Sequence, residues 1–324
     1  MKLIIQIPCF NEGKTLPITL AALPRIVPGF ECVEWLIIDD GSHDDTLEVA
    51  KAYGVDHIVR HASNKGLAKA FMTGLDACLN QGADVIVNTD ADNQYNADDI
   101  SALVLPIVEH RAELVVGARP ISTIEHFSPI KKLLQKLGSW VVRIASKTDI
   151  PDAPSGFRAI SRSAAQQLMV FSDYTYTLET IIQAGQKNIV IASVPVRVNN
   201  DLRPSRLVKS IPSYIYRSVG TIVRIFVIYR PFRFFASLGA MLFFTGLLLG
   251  VRFLWLYWQG HGEGHVQSLI LAAVFLMAGF QTLLIAFVVD LLAANRKLLE
   301  DLRFKVARTS DCKQYNNKNQ KSSR

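Results

Sequence analysis

The sequence predicts an α/β domain on a mostly parallel sheet, followed by a basic amphipathic helix and a two-helix transmembrane hairpin. Three observations carry this. Strand-like and helix-like runs alternate from Met1 to about Asn200, the βαβα order that builds a parallel sheet covered by helices. An arginine- and aromatic-rich segment at helical spacing comes next. Two long apolar runs follow it. Composition agrees: of 324 residues 50% are hydrophobic, and a mean hydropathy of +0.22 asks for segments in lipid.

Taken in order, the strand-like runs are "LIIQI", "VEWLIID", "DHIVR", "DVIVNT", "AELVVGA" and "NIVIASVPVRV". "KTLPITLAALPRI", "DDTLEVAKAYG" and "NKGLAKAFMTGLDACLNQG" are the helical patterns after the first three. The second of these opens on acidic residues and closes on Gly54, as helix ends prefer. "MKLIIQIPCF" is interrupted too early by Pro8 for a signal peptide and predicts a first strand. The expected domain spans 1–208.

Residues 209–233 place Ile215, Val219, Ile222, Val223 and Phe226 at helical spacing, with Arg217 and Arg224 on another face. Such a helix suits an anionic membrane surface. In 234–296, "FFASLGAMLFFTGLLLGVRFLWLYW" and "VQSLILAAVFLMAGFQTLLIAFVVDLLAA" are each long enough to cross a bilayer, which takes ~20 residues. "QGHGEGH" joins them as a tight polar turn without lysine or arginine. Arg217, Arg224, Arg230 and Arg233 precede the pair, and Arg296, Lys297, Arg303 and Lys305 follow it. The positive-inside rule then puts both flanks, the α/β domain and both termini in the cytoplasm, with the hairpin in the inner or plasma membrane. Gln281 and Asp290 are polar positions in the second span; Gln281 could bridge helices in a homo-oligomer, a dimer or tetramer. The tail, 297–324, is basic and polar and predicts disorder near its end.

The net charge of +7 and pI of 9.2 follow the membrane boundary rather than an aromatic-studded face, which argues against nucleic acid. The cysteines Cys9, Cys32, Cys78 and Cys312 are scattered without CxxC spacing, so no zinc site is expected, and reduced thiols suit the cytosol.

The chemistry gathers at strand ends. "VIVNTDADNQYN" ends an apolar strand on Asp90 and Asp92, whose charges repel unless a cation lies between them. Hard cations such as Mg²⁺ or Mn²⁺ take oxygen ligands and bind diphosphates, and Gln94 would add an amide oxygen. Alone, the pair is equally a solvated strand-end turn. "IPCFNE" brings Pro8, Asn11 and Glu12 to the same edge, and "IIDDGS" brings Asp39 and Asp40. In "NKGLAKA", Lys65 and Gly66 open a helix whose amides favour anions, although Asn64 and Gly66 fit a helix cap as well.

In this order "IPCFNE", "IIDDGS", "NKGLAKAFMTGL", "DADNQY", "GAR" and "DAPSGFRAISR" resemble the family 2 glycosyltransferases with the GT-A fold. Their spacing is similar to the polyprenyl-phosphate branch, which includes dolichyl-phosphate mannose synthase and bacterial undecaprenyl-phosphate glucosyltransferases. The resemblance implies a metal-dependent inverting transfer from a nucleotide-diphosphate sugar, UDP favoured over GDP, to a polyprenyl phosphate. It implies that Pro8, Asn11, Glu12, Asp39, Lys65 and Asp90 bind the nucleotide sugar and that Asp90, Asp92 and Gln94 meet the metal. Arg119, Ser155 and Arg158, with Arg203 and Arg206 of "RPSR", would bind the acceptor phosphate. Asp152 is the expected residue to orient the acceptor or act as base, with Glu179 second; the first could instead cap the "SGFR" turn and the second could be an ordinary helix-face residue.

Other classes fit less well. A processive synthase carries Q-x-x-R-W, absent here, and a sugar-1-phosphate nucleotidyltransferase has a glycine-rich first loop where this chain has "PCFNEGK". A non-catalytic membrane scaffold would have no reason to keep these carboxylates and arginines.

Overall fold

The computed structural model describes residues 1–120, 150–170, 176–199, 231–260 and 266–322, with isolated positions between them. Arg203, Arg206 and nearly all of the amphipathic segment lie outside the described residues. The chain divides into one unit of Met1–Ser218 with Ala307–Arg324 and a second over Val219–Val306.

The first unit carries a seven-stranded sheet. Its strands are β1 (Lys2–Cys9), β2 (Cys32–Asp39), β3 (His57–Arg60), β4 (Val85–Asn88), β5 (Leu114–Ala118), β6 (Arg158–Ser161) and β7 (Ile191–Pro195). The helices between them are α1 (Leu16–Ala22), α2 (Thr46–Ala52), α3 (Leu67–Asn80), α4 (Ile100–Val108), α5 (Arg162–Gln167) and α6 (Thr177–Gln186). Side chains alternate across a strand, so both faces of the apolar strands need cover. Leu3, Ile5, Ile7, Ile37 and Val87 pack with Leu16 and Leu20 of α1 and Leu103 of α4. On the other face Ile4, Leu36, Ile38 and Ile86 pack with Phe71 and Leu75 of α3.

The strand order is β3-β2-β1-β4-β6-β5-β7. From β1 the chain first builds outward through β2 and β3, then returns to place β4 on the other side of β1. Ligands in such sheets bind beside the strand ends where this reversal occurs. The loops after β1 and β4 are therefore neighbours, and they carry "CFNE" and "DADNQY".

β6, not expected as a strand, runs antiparallel between β4 and β5. Its register pairs Arg158 with Asn88, the last residue of β4. Because it runs backwards, the loop that precedes it, residues 152–157, arrives at the carboxyl edge beside the loop after β4.

The second unit contains α7 (Pro231–Trp258) and the part of α8 (Val266–Ser322) up to Val306. Pro231–Trp258 and Val266–Arg296 are long and apolar enough to cross a membrane. Small residues bring the two together. A Cβ at Gly279 would stand 2.5 Å from the Phe243 amide nitrogen, and one at Gly246 2.8 Å from that of Leu276. Ala272 and Ala286, each seven residues from Gly279, are buried on the same stripe. Gln281 and Asp290 are exposed, and so are Trp255, Tyr257 and Trp258 at the end of α7. The expectation of a disordered tail is corrected: α8 continues to Ser322, and no proline or glycine after Gly279 interrupts it.

Candidate active site

At the end of β1, Pro8 is buried opposite Ile38, beyond the last pairing with β4, so its missing N–H leaves no gap in that ladder. Asn11 takes a left-handed conformation, φ 55°, which asparagine tolerates better than most residues. Its amide donates to Ser42 Oγ at 2.9 Å, and its Oδ1 accepts from the His43 amide at 2.9 Å. Glu12 is buried, and its Oε2 accepts from the Thr15 hydroxyl at 2.6 Å. The loops after β1 and β2 are thus tied together before any ligand arrives.

Asp39 is fully buried at the end of β2. Its Oδ1 accepts from the Ser42 amide at 2.9 Å. Its Oδ2 has no hydrogen bond; Arg60 Nε lies 3.1 Å away but out of line. Gly41, φ +74°, is required next to it, because a Cβ there would stand 2.7 Å from the Ser63 carbonyl carbon. Asp40 faces the other way. It accepts from the Lys65 and Gly66 amides at 2.9 and 2.8 Å and pairs with His61 Nδ1 at 2.7 Å. A carboxylate of the protein thus holds the amides that open α3, and the Lys65 side chain is exposed.

Asp90 is half-buried and Asp92 follows on the same turn. Burial, then the charge of Asp92, push the Asp90 carboxyl up to about 7 against the pull of Arg119. Asp92 Oδ1 accepts from the Gln94 amide at 3.2 Å. Gln94 and its neighbours are clamped from behind by the chain after β7. The Asn199 amide donates to the Gln94 carbonyl at 2.9 Å, and Asn199 Nδ2 to the Asn93 carbonyl at 3.0 Å.

The loop before β6 completes the edge. Asp152, fully buried, receives both arms of Arg119, Nε to Oδ2 at 2.7 Å and Nη2 to Oδ1 at 3.0 Å. Burial lowers the Arg119 pKa, but Tyr95, Asp152 and Asp90 outweigh it and raise it overall. Ser155 is buried and its hydroxyl makes no hydrogen bond. Gly156 lies beside Asp90: a Cβ there would lie 3.1 Å from both Asp90 oxygens.

Arg158 is not at an open phosphate site. It is fully enclosed, donating to the Ser155 carbonyl at 2.9 Å, the Ala153 carbonyl at 2.8 Å and the Thr180 hydroxyl. Burial brings its pKa down to about 10. Its guanidinium braces the loop from beneath, because the antiparallel pairing with Asn88 turns it into the core. Glu179 is nearly buried in the first turn of α6, next to Thr180.

Sequence reasoning gave no role to Asn88, Tyr95 or Tyr176. Tyr95 Oη accepts from the Gly156 amide at 3.0 Å, and Asn88 Nδ2 donates to the Gly156 carbonyl at 2.9 Å. A lone amide closing the run "VIVN" and a tyrosine inside "DADNQY" were the available signals.

Among the described residues no group of three or more His, Cys, Asp or Glu side chains could hold a metal ion by itself. Two adjacent carboxylates, one driven up by burial and then by the other's charge, nevertheless suit a hard cation that draws its remaining ligands from a bound diphosphate.

The sequence profile described as Glycosyl transferase family 2 matches residues 4–169. UDP-N-acetylglucosamine–dolichyl-phosphate N-acetylglucosaminyltransferase of Methanococcus voltae is 30% identical over 213 residues, covering 59% of this chain and 83% of that protein. Undecaprenyl-phosphate mannosyltransferase of Micrococcus luteus is 25% identical over 218 residues, covering 64% of this chain and 88% of that protein. Among solved structures, glucosyl-3-phosphoglycerate synthase from Mycobacterium tuberculosis, in complex with Mn²⁺, UDP and phosphoglyceric acid, superposes with a TM-score of 0.52 at 18% identity, covering 68% of this chain and 78% of that one. That likeness shows the GT-A fold. On its profile match, and on the motifs that line one sheet edge, the chain belongs to glycosyltransferase family 2.

Proposed function

We propose that this chain transfers a sugar, with inversion, from a nucleotide-diphosphate sugar to a polyprenyl phosphate, undecaprenyl phosphate in particular, at the cytoplasmic face of the membrane. The observation that carries the reading is the meeting of Asp90 with Gly156. This supports the reading, since Asp90 is expected at the donor and the loop of Gly156 at the acceptor. The relatives named for dolichyl and undecaprenyl phosphate support the acceptor class, and the apolar spans supply an anchor beside such a lipid. UDP is favoured as the nucleotide; one relative's name carries a UDP-sugar.

In this reading the buried Asp39, whose Oδ2 makes no hydrogen bond, and the Asn11–Glu12 turn hold the nucleoside. Asp90, Asp92 and the side-chain amide oxygen of Gln94 would hold Mg²⁺ or Mn²⁺, which would supply charge neutralisation for the departing nucleoside diphosphate. A phosphate monoester is largely dianionic at neutral pH, since its second pKa is about 6, so the acceptor oxygen needs little help from a base. It needs cations and placement. Arg119, fixed by Asp152, supplies one cation. Arg203 and Arg206 of "RPSR" are the residues proposed to supply more. With both its oxygens on Arg119, Asp152 orients rather than abstracts. Glu179 is the reserve candidate for a base.

The test is an assay of purified protein in detergent with undecaprenyl phosphate and a panel of UDP- and GDP-sugars. A lipid-linked sugar of inverted anomeric configuration is expected. Product with a retained anomer, or none from any donor, overturns the reading.

A further inference from the structure

Behind the carboxylates lies a buried chain of polar side chains that the proposed chemistry does not use. Gln6 of β1, fully buried, donates from Nε2 to Asn88 Oδ1 at 2.9 Å. Asn88, also fully buried, donates from Nδ2 to the Gly156 carbonyl and the Tyr176 hydroxyl, each at 2.9 Å. Since Gln6 offers an N–H to Asn88 Oδ1, the Asn88 NH₂ group has one orientation open to it, and its hydrogen-bonding groups are all engaged. Burying an amide is costly unless it is satisfied in this way.

The Gly156 peptide is held at both ends, its amide by Tyr95 and its carbonyl by Asn88. Both phenols are fixed by ring stacking, Tyr95 on Phe157 at 5.0 Å and Tyr176 on Phe71 at 3.9 Å. Asp90 lies beside this peptide: a Cβ at Gly156 would stand 3.1 Å from both its oxygens and 3.0 Å from the Tyr176 hydroxyl, so a larger residue would crowd the carboxylate.

We propose that Asn88 is a positioning residue for Asp90: through the Gly156 peptide it sets where the Asp90 carboxylate points, and so how well the Asp90–Asp92 pair takes up a divalent cation together with a nucleoside diphosphate. The inference rests on the proposed reaction. Groups behind metal ligands typically change metal affinity by ~10–100-fold when removed. An amide with a purely structural role would lower stability and leave cation uptake by the folded protein unchanged.

Full-length protein in detergent is titrated with Mn²⁺ in the presence of UDP, and in parallel GDP, following free Mn²⁺ by electron paramagnetic resonance. This readout does not depend on turnover. Asn88→Leu removes the three bonds at similar volume. Tyr95→Phe releases the Gly156 amide and keeps the ring on Phe157. In both variants the Mn²⁺ concentration for half-saturation is expected to rise on the order of 10–100-fold, with metal-free nucleotide affinity unchanged. If Asn88→Leu does not fold, Tyr95→Phe decides. Folded variants with wild-type Mn²⁺ half-saturation overturn the inference and leave the proposed reaction standing. Wild-type protein that takes up no Mn²⁺ with either nucleotide overturns both.

Discussion

Arg119 grips Asp152 with two parallel hydrogen bonds, and the pair is almost closed to solvent, with the side chains 8% and 1% exposed. Removing one partner of a buried pair strands the other charge, at a cost of ~3–5 kcal/mol. Asp152→Asn is therefore expected to lower the thermal midpoint of the purified protein clearly and to raise the KM for the lipid phosphate more than that for the donor. A variant with unchanged stability would show that the pair is not a buried brace.

Asp92→Asn keeps the shape of the loop and removes one negative charge from the cation's place. Turnover is expected to fall by ~100-fold or more, while circular dichroism and melting stay near wild type. Chelation by EDTA should silence the wild-type protein, and added Mn²⁺ or Mg²⁺ should restore it. Activity indifferent to EDTA would sink the metal assignment.

The raised pKa of Asp90 has a sign that can be checked. Its folded value lies above the ordinary carboxylate range, so the native state keeps a proton that the unfolded chain has already released. Stability from this group is present at low pH and lost as pH rises towards about 7. Asp90→Asn should thus raise the melting temperature of metal-free protein at pH 8, by a margin that shrinks towards pH 5, while abolishing transfer. Equal shifts at both pH values would mean that Asp90 titrates normally.

In the hairpin, Gly279 faces Phe243 with no room for a side chain. Gly279→Val should push the helices apart and cost about 1–3 kcal/mol, the usual range for overpacking. The measurement is thermal stability in detergent together with nucleotide binding. A loss of stability with retained UDP binding is expected; wild-type stability would mean that α7 and α8 do not pack through this stripe.

Much of the architecture was legible from one-dimensional pattern. Apolar runs of strand length gave β1 to β5 and β7, because a strand covered on both faces shows as a continuous hydrophobic stretch. The length of the apolar runs gave two helices long enough to cross a membrane, because hydrocarbon thickness sets how many residues a helix needs. Asp39, Asp90 and Asp92 were visible as acids placed where strands end.

The antiparallel insertion of β6 was not legible, since "RAIS" is too short to carry a period. That strand alone turns Arg158 into the core, pairs Arg119 with Asp152 from 33 positions away, and sets Gly156 against Asp90. The amino-acid order by itself determined which segments are buried and where the acids and cations fall along the chain, because hydrophobic periodicity is a local property. Which of those charges meet was decided by sheet order and register, because a contact across strands depends on how segments far apart in the chain are aligned.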